Sequence, residues 1–209
     1  MAVKITYFVH GTTLDNLEHK STGWLQGELS QKGIEQSVKL KGGLYHQTQI
    51  RLAYNSNHME GSRLTEEQTR SIYETQTIGV TEGQEKIDDI IETVNHFRCF
   101  DYILKVADEE LSEDMIKEFH KILKTGTSDE RKTWFNVGEY KSLANEVGGN
   151  ETSKPEDVEE NMRDLLLWYN SLENVKFEDI VKFHSEFEKI HPFQDGNGRV
   201  GRIIMFKEG

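Results

Sequence analysis

The twelve residues from His191 to Arg202, HPFQDGNGRVGR, combine groups that bind a phosphate with a group that moves a proton. Gly196 and Gly198 interrupt a helical pattern that resumes at about Arg199, so backbone N–H groups are exposed where a new helix begins. Glycine also leaves room for a phosphate to approach those groups. We therefore expect an anion-binding turn here.

Charged side chains flank this turn. Arg199 and Arg202 lie three residues apart, so both guanidinium groups are expected to reach a polyphosphate. Asp195 would repel that ligand unless a cation lies between them, and Mg²⁺ bridging phosphate oxygens is the usual arrangement. The neutral imidazole of His191 is suited to accept a proton near pH 7. These residues together predict a phosphate-transfer site. The alternative is that HPF ends a helix, DGNG forms a type I′ turn and both arginines are solvated.

The same stretch matches the signature HxFx(D/E)GNGRxxR at every position, and the chain resembles the Fic family over residues 44–209. Most members of that family transfer AMP from ATP to a hydroxyl side chain of a target protein. The resemblance implies that His191 is the general base for a Ser, Thr or Tyr hydroxyl and that Asp195 holds Mg²⁺. It also implies an ATP-binding loop in which Phe193 is the anchor in the core, Gly196, Asn197, Gly198 and Arg199 bind the α- and β-phosphates, and Arg202 binds the γ-phosphate.

The segment VGEYKSLANEVGG, residues 137 to 149, resembles the flap of the same family. The flap is a hairpin that pairs with an extended segment of the target protein, and strand addition of this kind makes loose demands on sequence. The resemblance assigns target docking to Gly138, Glu139, Tyr140, Lys141, Leu143 and Asn145. Taken alone, the segment fits an ordinary surface hairpin better, and its occurrence beside the signature favours the flap instead.

The segment SNHMEGSRL, residues 56 to 64, resembles the inhibitory motif (S/T)xxxE(G/N)N of Fic proteins. Ser56, Glu60 and Gly61 occupy its positions, whereas Ser62 departs from the commonest asparagine. Ser56 and Glu60 are one helical turn apart and share a face. The resemblance implies that a helix near 44–61 restrains the site by pairing Glu60 with Arg202 in place of the γ-phosphate. In some relatives the glutamate at this position orients a water molecule that removes AMP. A simpler alternative is that Glu60 is a solvated carboxylate at the end of a helix.

Helical periodicity dominates the elements that must position these residues. It predicts helices from Leu44 to about His58, from Thr65 as the N-cap to Tyr73, over roughly 84 to 106, after Ser112 as the N-cap, after Pro155, and from Phe177 to His191. The expected core-facing residues of two of them are Ile87, Ile90, Ile91, Val94, Phe97 and Leu104, and then Phe177, Ile180, Val181, His184 and Phe187. The expected fold is mainly α, a Fic-type helical bundle with a small β-hairpin flap, preceded by a short segment that is not Fic-like.

That preceding segment, residues 1–43, resembles the start of a histidine phosphatase in its stretches ITYFVHGTTLDN and GWLQGELSQKGIEQS. The phosphatase site begins Arg-His-Gly-x-Thr, but Val9 stands where the arginine belongs, and the partner groups of that family are not visible further along. His10 without guanidinium support should not form a competent site. We expect a non-catalytic fragment that ends near Lys41-Gly42-Gly43; a phosphatase acting through His10 is a remaining alternative.

Composition limits the function classes. The chain has 37 acidic and 25 basic residues and a formal charge of -12, which argues against a general nucleic-acid binder or an anionic-membrane binder. The single cysteine, Cys99, excludes an intrachain disulfide and fits a reducing compartment. No apolar run approaches the roughly 18 residues of a membrane span, and the start lacks a secretory signal. A cytoplasmic protein is expected, and a homo-oligomer stays open.

The sequence thus predicts an autoinhibited protein adenylyltransferase that uses ATP and Mg²⁺, releases pyrophosphate and modifies a protein substrate or itself. The alternatives are an ATP-binding regulatory module and a de-AMPylating hydrolase with little transferase activity. Transfer of a group other than AMP also stays open. Fic domains usually continue beyond the signature, so we expect part of the adenine pocket to be missing after Gly209.

Overall fold

The structure is a computed structural model that describes residues 44–79 and 85–209. The chain divides between Gln49 and Ile50 into two compact units, and the second unit, Ile50–Gly209, carries the elements described below apart from the first residues of the first helix. The phosphatase-like segment 1–43, with His10, lies outside the described residues.

Among the described residues, two helices with well-defined ends come first. Helix α1 (Leu44–Met59) ends in a turn at Gly61, whose φ of 90° favours glycine, and Ser62 N donates to Asn57 O at 3.0 Å. Helix α2 (Glu66–Thr75) begins after Thr65, whose side chain accepts from Gln68 N at 3.1 Å. The Gln68 side chain accepts in turn from Thr65 N at 2.8 Å, which completes a capping box. Both helices and the Thr65 cap were predicted.

Helices α3 (Ile87–Ile103) and α4 (Glu113–Lys124) pack against each other. The predicted cap of α4 is present, since Ser112 Oγ accepts from Met115 N at 3.2 Å. The expected inner face of α3 was partly wrong. Ile87 is 73% exposed in the first turn and Leu104, just past the helix, is 51% exposed, whereas Phe97 is buried together with Cys99, Phe100 and Ile103.

A short antiparallel hairpin follows a turn of 3₁₀-helix at Ser128–Arg131. Strands β1 (Glu146–Val147) and β2 (Asn150–Glu151) pair in the register Glu146 with Glu151 and Val147 with Asn150. Gly148 and Gly149 connect them with φ of 58° and 80°, the positive values that a two-residue hairpin turn of this kind requires. The hairpin therefore lies at the end of the predicted flap, and residues 138–145 precede it without regular structure.

The last three helices carry the loop of interest. Helix α5 (Val158–Asn170) follows a 3₁₀ turn at Pro155–Asp157 and packs against α6 (Phe177–Ile190). Helix α7 (Asn197–Glu208) packs against both α6 and α4. On α6 the expectation for Phe177 and Val181 was wrong, because they are 70% and 41% exposed. The buried face is formed instead by Ile180, Phe183, Phe187 and Ile190.

One apolar core joins these helices, and the described residues form a mainly α-helical bundle with little strand, as predicted. Its largest fully buried apolar side chains are Phe100, Phe119, Phe187, Phe193, Ile50, Leu111, Ile116, Leu123, Met162, Ile203 and Ile204. Cys99 is fully buried, and burial raises the pKa of its thiol well above the ordinary value, so an inert thiol is the result. Among the described helices, none has the length and apolar character needed to cross a bilayer.

Candidate functional site

The loop between α6 and α7 begins and ends with a residue whose backbone is left-handed. His191 ends α6 with φ 52° and ψ 61°, and Gly196 precedes α7 with φ 83°. A left-handed conformation is costly for a residue with a side chain, so a histidine that adopts it must be held by its surroundings. The two reversals bring His191 and the N-terminus of α7 into one compact turn.

Asn197 locks that turn from within. Its side chain accepts from Phe193 N and donates to Phe193 O, both at 2.7 Å, and it is 1% exposed. The Phe193 ring is fully buried and stacks on His120 with the ring centroids 4.0 Å apart. Because the Asn197 side chain is fully engaged inside the loop, only its backbone N–H is left for a phosphate.

His191 lies at the edge of the site, with 17% of its side chain exposed. Its Nδ1 is buried and lies 3.7 Å from Glu188 Oε2. Burial lowers the pKa of His191 from its ordinary value, and the positive charge of Lys141 lowers it further. The imidazole is therefore neutral over a wider pH range than an exposed histidine, as a proton acceptor requires.

The two loop arginines have different surroundings, and each is paired with an acidic side chain. Arg199 is 4% exposed and turns inward to form ion pairs with Glu92 and, at 3.0 Å, with Asp195. Arg202 is partly exposed and binds α1: its Nε donates to Ser56 Oγ at 2.9 Å and its Nη2 to Glu60 Oε1 at 2.5 Å. In this conformation neither guanidinium is without an acidic partner.

Glu60 lies directly over the glycine turn. A Cβ added to Gly198 would collide with Glu60 Oε1, and it would lie 3.0 Å from Arg202 Nη1. The first N–H groups of a helix have no intrahelical partners, and the positive end of its dipole favours an anion. The Glu60 carboxylate thus lies at the N-terminus of α7, where an anion is favoured. The Gly61 turn that ends α1 places it there.

Asp195 belongs to a cluster of charges that the sequence did not predict. Its Oδ2 accepts from Lys124 Nζ at 2.7 Å, and the same ammonium lies 2.6 Å from Glu92 Oε1 and 2.5 Å from Asp129 Oδ2. Burial alone would raise the pKa of Asp195, but Lys124 and Arg199 lower it to about 2. In sequence, Lys124 reads as a cation in the last turn of a helix, and nothing indicates that it is buried.

His120 is a second residue that sequence reasoning missed. It accepts from Gly138 N at Nδ1, at 2.9 Å, so Nε2 carries the proton and donates to Asp195 O at 3.2 Å. Burial lowers its pKa to about 3, and Lys124 contributes in the same direction. A neutral imidazole therefore ties the flap to the loop. Its only sequence signal was a histidine on the apolar face of α4.

The flap segment runs alongside the loop. Lys141 N donates to Pro192 O at 2.8 Å, and Asn145 Nδ2 donates to Phe193 O at 3.0 Å. Leu143, about half exposed, donates its N–H to Gln194 Oε1 at 3.3 Å. The buried Lys141 ammonium contacts only neutral acceptors, and burial lowers its pKa to about 8.

The first three flap residues mainly fix this segment to α4. Glu139 pairs with Lys117 at 3.2 Å, and the same ammonium lies 4.5 Å from the centre of the Tyr140 ring. Gly138 has φ 81°, and an added Cβ would lie 3.0 Å from Lys121 Cβ, so a larger residue would be strained and crowded there. Of the six predicted docking residues, Leu143 is the one with a large exposed apolar side chain.

The described residues thus form a helical bundle in which a histidine, an acid and an arginine surround a glycine-bearing helix N-terminus. Residues 110–207 match the model of the Fic/DOC family, and the chain belongs to that family. The match contains the loop, the flap and helix α4. It does not include α1.

Comparison with individual known proteins also finds similarity to members of this family. A probable protein adenylyltransferase of Aquifex aeolicus is 32% identical over 160 residues, which are 68% of this chain and 47% of that protein. A solved Fic-domain-containing signaling protein from Bacteroides thetaiotaomicron is 28% identical, with a TM-score of 0.65 over 75% of this chain and 60% of its own. A Fic family protein from Desulfovibrio desulfuricans has a TM-score of 0.67 and 25% identity, over 82% of this chain and 50% of its own. The chain spans less than half the length of the curated relatives.

Proposed function

We propose that this chain is a protein adenylyltransferase that its own helix α1 restrains. It would transfer AMP from ATP to a Ser, Thr or Tyr hydroxyl of a protein and release pyrophosphate. The observation that carries the proposal is that a neutral, partly exposed His191 and the N-terminus of α7 lie in one loop, in a chain of the Fic/DOC family. The relative in Aquifex aeolicus named above is called a probable protein adenylyltransferase.

The chemistry requires one proton acceptor and a site for the phosphates. The hydroxyl oxygen forms a bond to the α-phosphorus, and the bond from that phosphorus to the bridging oxygen of pyrophosphate breaks. The hydroxyl proton passes to His191. Because Nδ1 is buried, Nε2 is the ring nitrogen left for this proton. The free N–H groups at the start of α7 stabilise the phosphate charge.

Asp195 is the residue that would hold Mg²⁺. Its side chain is half exposed, and a pKa of about 2 keeps it ionised. Mg²⁺ typically binds through one or two carboxylates together with substrate phosphates, and it would neutralise phosphate charge in this site. One exposed carboxylate fits that pattern, although its Oδ2 is already shared by Lys124 and Arg199.

Helix α1 would restrain the enzyme through Glu60 and Arg202. Arg202 is the loop arginine that is partly exposed, and Glu60 and Ser56 hold it in the present conformation. With that guanidinium occupied and a carboxylate over Gly198, a triphosphate cannot take both places. ATP then binds in a pose unsuited to transfer until Glu60 moves away.

The protein substrate would dock on the flap by strand addition. Leu143, which bonds to Gln194 of the loop, and Val147 in β1 present exposed apolar side chains. The two strands of the hairpin are short, with an open edge. One edge of residues 141–145 is already bonded to the loop, so an incoming segment would pair with the other edge.

Intact-mass spectrometry of the Glu60→Gly variant with ATP and Mg²⁺ tests the proposal. We expect the mass to rise by one AMP per modified site and the rise to vanish when His191→Ala is added. ATP labelled at the α-phosphate separates AMP transfer from transfer of the γ-phosphoryl group. ATP binding with no transfer to itself or to added protein would favour the regulatory module, and loss of AMP from a pre-modified protein would favour the hydrolase.

A further inference from the structure

The Lys124 ammonium lies at the centre of three carboxylates. It is 2.6 Å from Glu92 Oε1, 2.5 Å from Asp129 Oδ2 and 2.7 Å from Asp195 Oδ2. The side chain is 2% exposed, so water contributes little to its solvation. All three hydrogens of the ammonium therefore have an anionic acceptor, and the group is fully satisfied.

The same three carboxylates have the spacing of a cation site. One oxygen from each lies within 4.8 Å of the other two. Hard divalent ions take carboxylate oxygens as ligands, and three carboxylates this close together, two of them little exposed, need a compensating positive charge. Lys124 supplies that charge from within the chain, and Arg199 adds a second cation through its pairs with Glu92 and Asp195.

The backbone and stem of Lys124 fix the ammonium in this place. Thr127 Oγ1 donates to Lys124 O at 2.8 Å, just beyond the end of α4. The aliphatic part of the Lys124 side chain passes beside Gly196, since a Cβ added to that glycine would lie 3.6 Å from Lys124 Cδ. The position of the ammonium is therefore part of the packing of the loop.

We propose that Lys124 is a tethered cation that fills the Glu92, Asp129 and Asp195 cluster and excludes divalent ions from it in the nucleotide-free protein. A divalent ion then reaches Asp195 only together with phosphates that supply its remaining ligands. That last consequence rests on the proposed function, whereas the exclusion does not, because it concerns the protein alone.

Mn²⁺ binding to the full chain, measured by electron paramagnetic resonance without nucleotide, tests the exclusion. We expect no saturable Mn²⁺ binding to the wild type. Lys124→Met should bind one Mn²⁺ per chain with a Kd at least about tenfold below the highest Mn²⁺ concentration at which the wild type shows no saturation. Adding Asp129→Asn to Lys124→Met should weaken that binding again. The matched control is Lys121→Met, on the same helix but 60% exposed, which should bind as the wild type does.

Three results would overturn the inference. They are Mn²⁺ binding to the wild type as tight as to Lys124→Met, no gain in the folded Lys124→Met protein, and an equal gain in the Lys121→Met control. Thermal melts in EDTA and in Mn²⁺ establish folding, because a site of three carboxylates without its lysine can require the metal to fold. We expect Mn²⁺ to raise the melting temperature of Lys124→Met and to leave that of the wild type unchanged.

If Lys124→Met does not fold in either EDTA or Mn²⁺, Mn²⁺ binding to the wild type tests the exclusion. Absence of saturable Mn²⁺ binding supports the exclusion, and Mn²⁺ binding that Asp195→Asn removes overturns it. No step of this experiment involves ATP or transfer, so its failure and that of the proposed adenylyltransferase activity are distinguishable.

Discussion

Replacing Glu60 tests whether α1 restrains the site. Glu60 Oε1 accepts from Arg202 Nη2 at 2.5 Å, and the two side chains are 32% and 26% exposed. A hydrogen bond between charged groups contributes about 1.5 to 3 kcal/mol, and partial exposure to water reduces it, so about 1 to 2 kcal/mol is expected here. Glu60→Gly should therefore raise the fraction of productively bound ATP, and the initial rate of transfer, about 5- to 30-fold.

Two replacements separate charge from volume. Glu60→Gln removes the charge but keeps atoms over Gly198, whereas Glu60→Gly clears that space as well, so we expect the glycine variant to be faster. Glu60 follows the last residue of α1, so glycine there does not interrupt the helix. The matched control is Glu67→Gln, an exposed carboxylate in the first turn of α2.

The assay is the initial rate of AMP incorporation from α-labelled ATP, with ATP affinity measured by calorimetry on the same proteins. The control variant should react at the wild-type rate. If Glu60→Gly binds ATP at least as tightly as the wild type and still transfers AMP no faster, the Glu60–Arg202 pair does not restrain the enzyme.

Three further outcomes are expected. Activity should fall at acid pH with a midpoint below the ordinary histidine value of about 6.5, because burial and the charge of Lys141 lower the pKa of His191. Lys141→Met should move that midpoint to higher pH, and a pH–rate profile that the variant leaves unchanged would contradict this. Asn197→Ala should lower the free energy of unfolding by about 2 to 3 kcal/mol in urea titrations, since two buried bonds of the loop are lost. Burial lowers the pKa of both His96 and His120 to about 3, so the unfolded chain binds more protons, and thermal stability should fall as pH drops from 6.5 toward 3; a flat profile there would disprove it.

The parts that could be predicted from sequence rest on local interactions. The caps Thr65 and Ser112 each bond to a residue three positions away, so their residue types are enough to reveal them. The turn at Gly196 could also be predicted locally, because glycine there interrupts the helical pattern. The hairpin was placed too early, because Lys141, Leu143 and Asn145 bond to the loop, some fifty residues along the chain, rather than to a neighbouring strand.

The amino-acid sequence by itself determined the helices, their ends, and the residue types gathered in the loop from His191 to Arg202, because each depends on neighbours a few positions apart. Only the tertiary structure decided the partners of the charged groups. Lys124 and Asp195 are 71 residues apart, and Ser56 and Arg202 are 146 apart. Whether a long cation faces solvent or a buried carboxylate depends on which helices pack together, and helical periodicity carries no information about that.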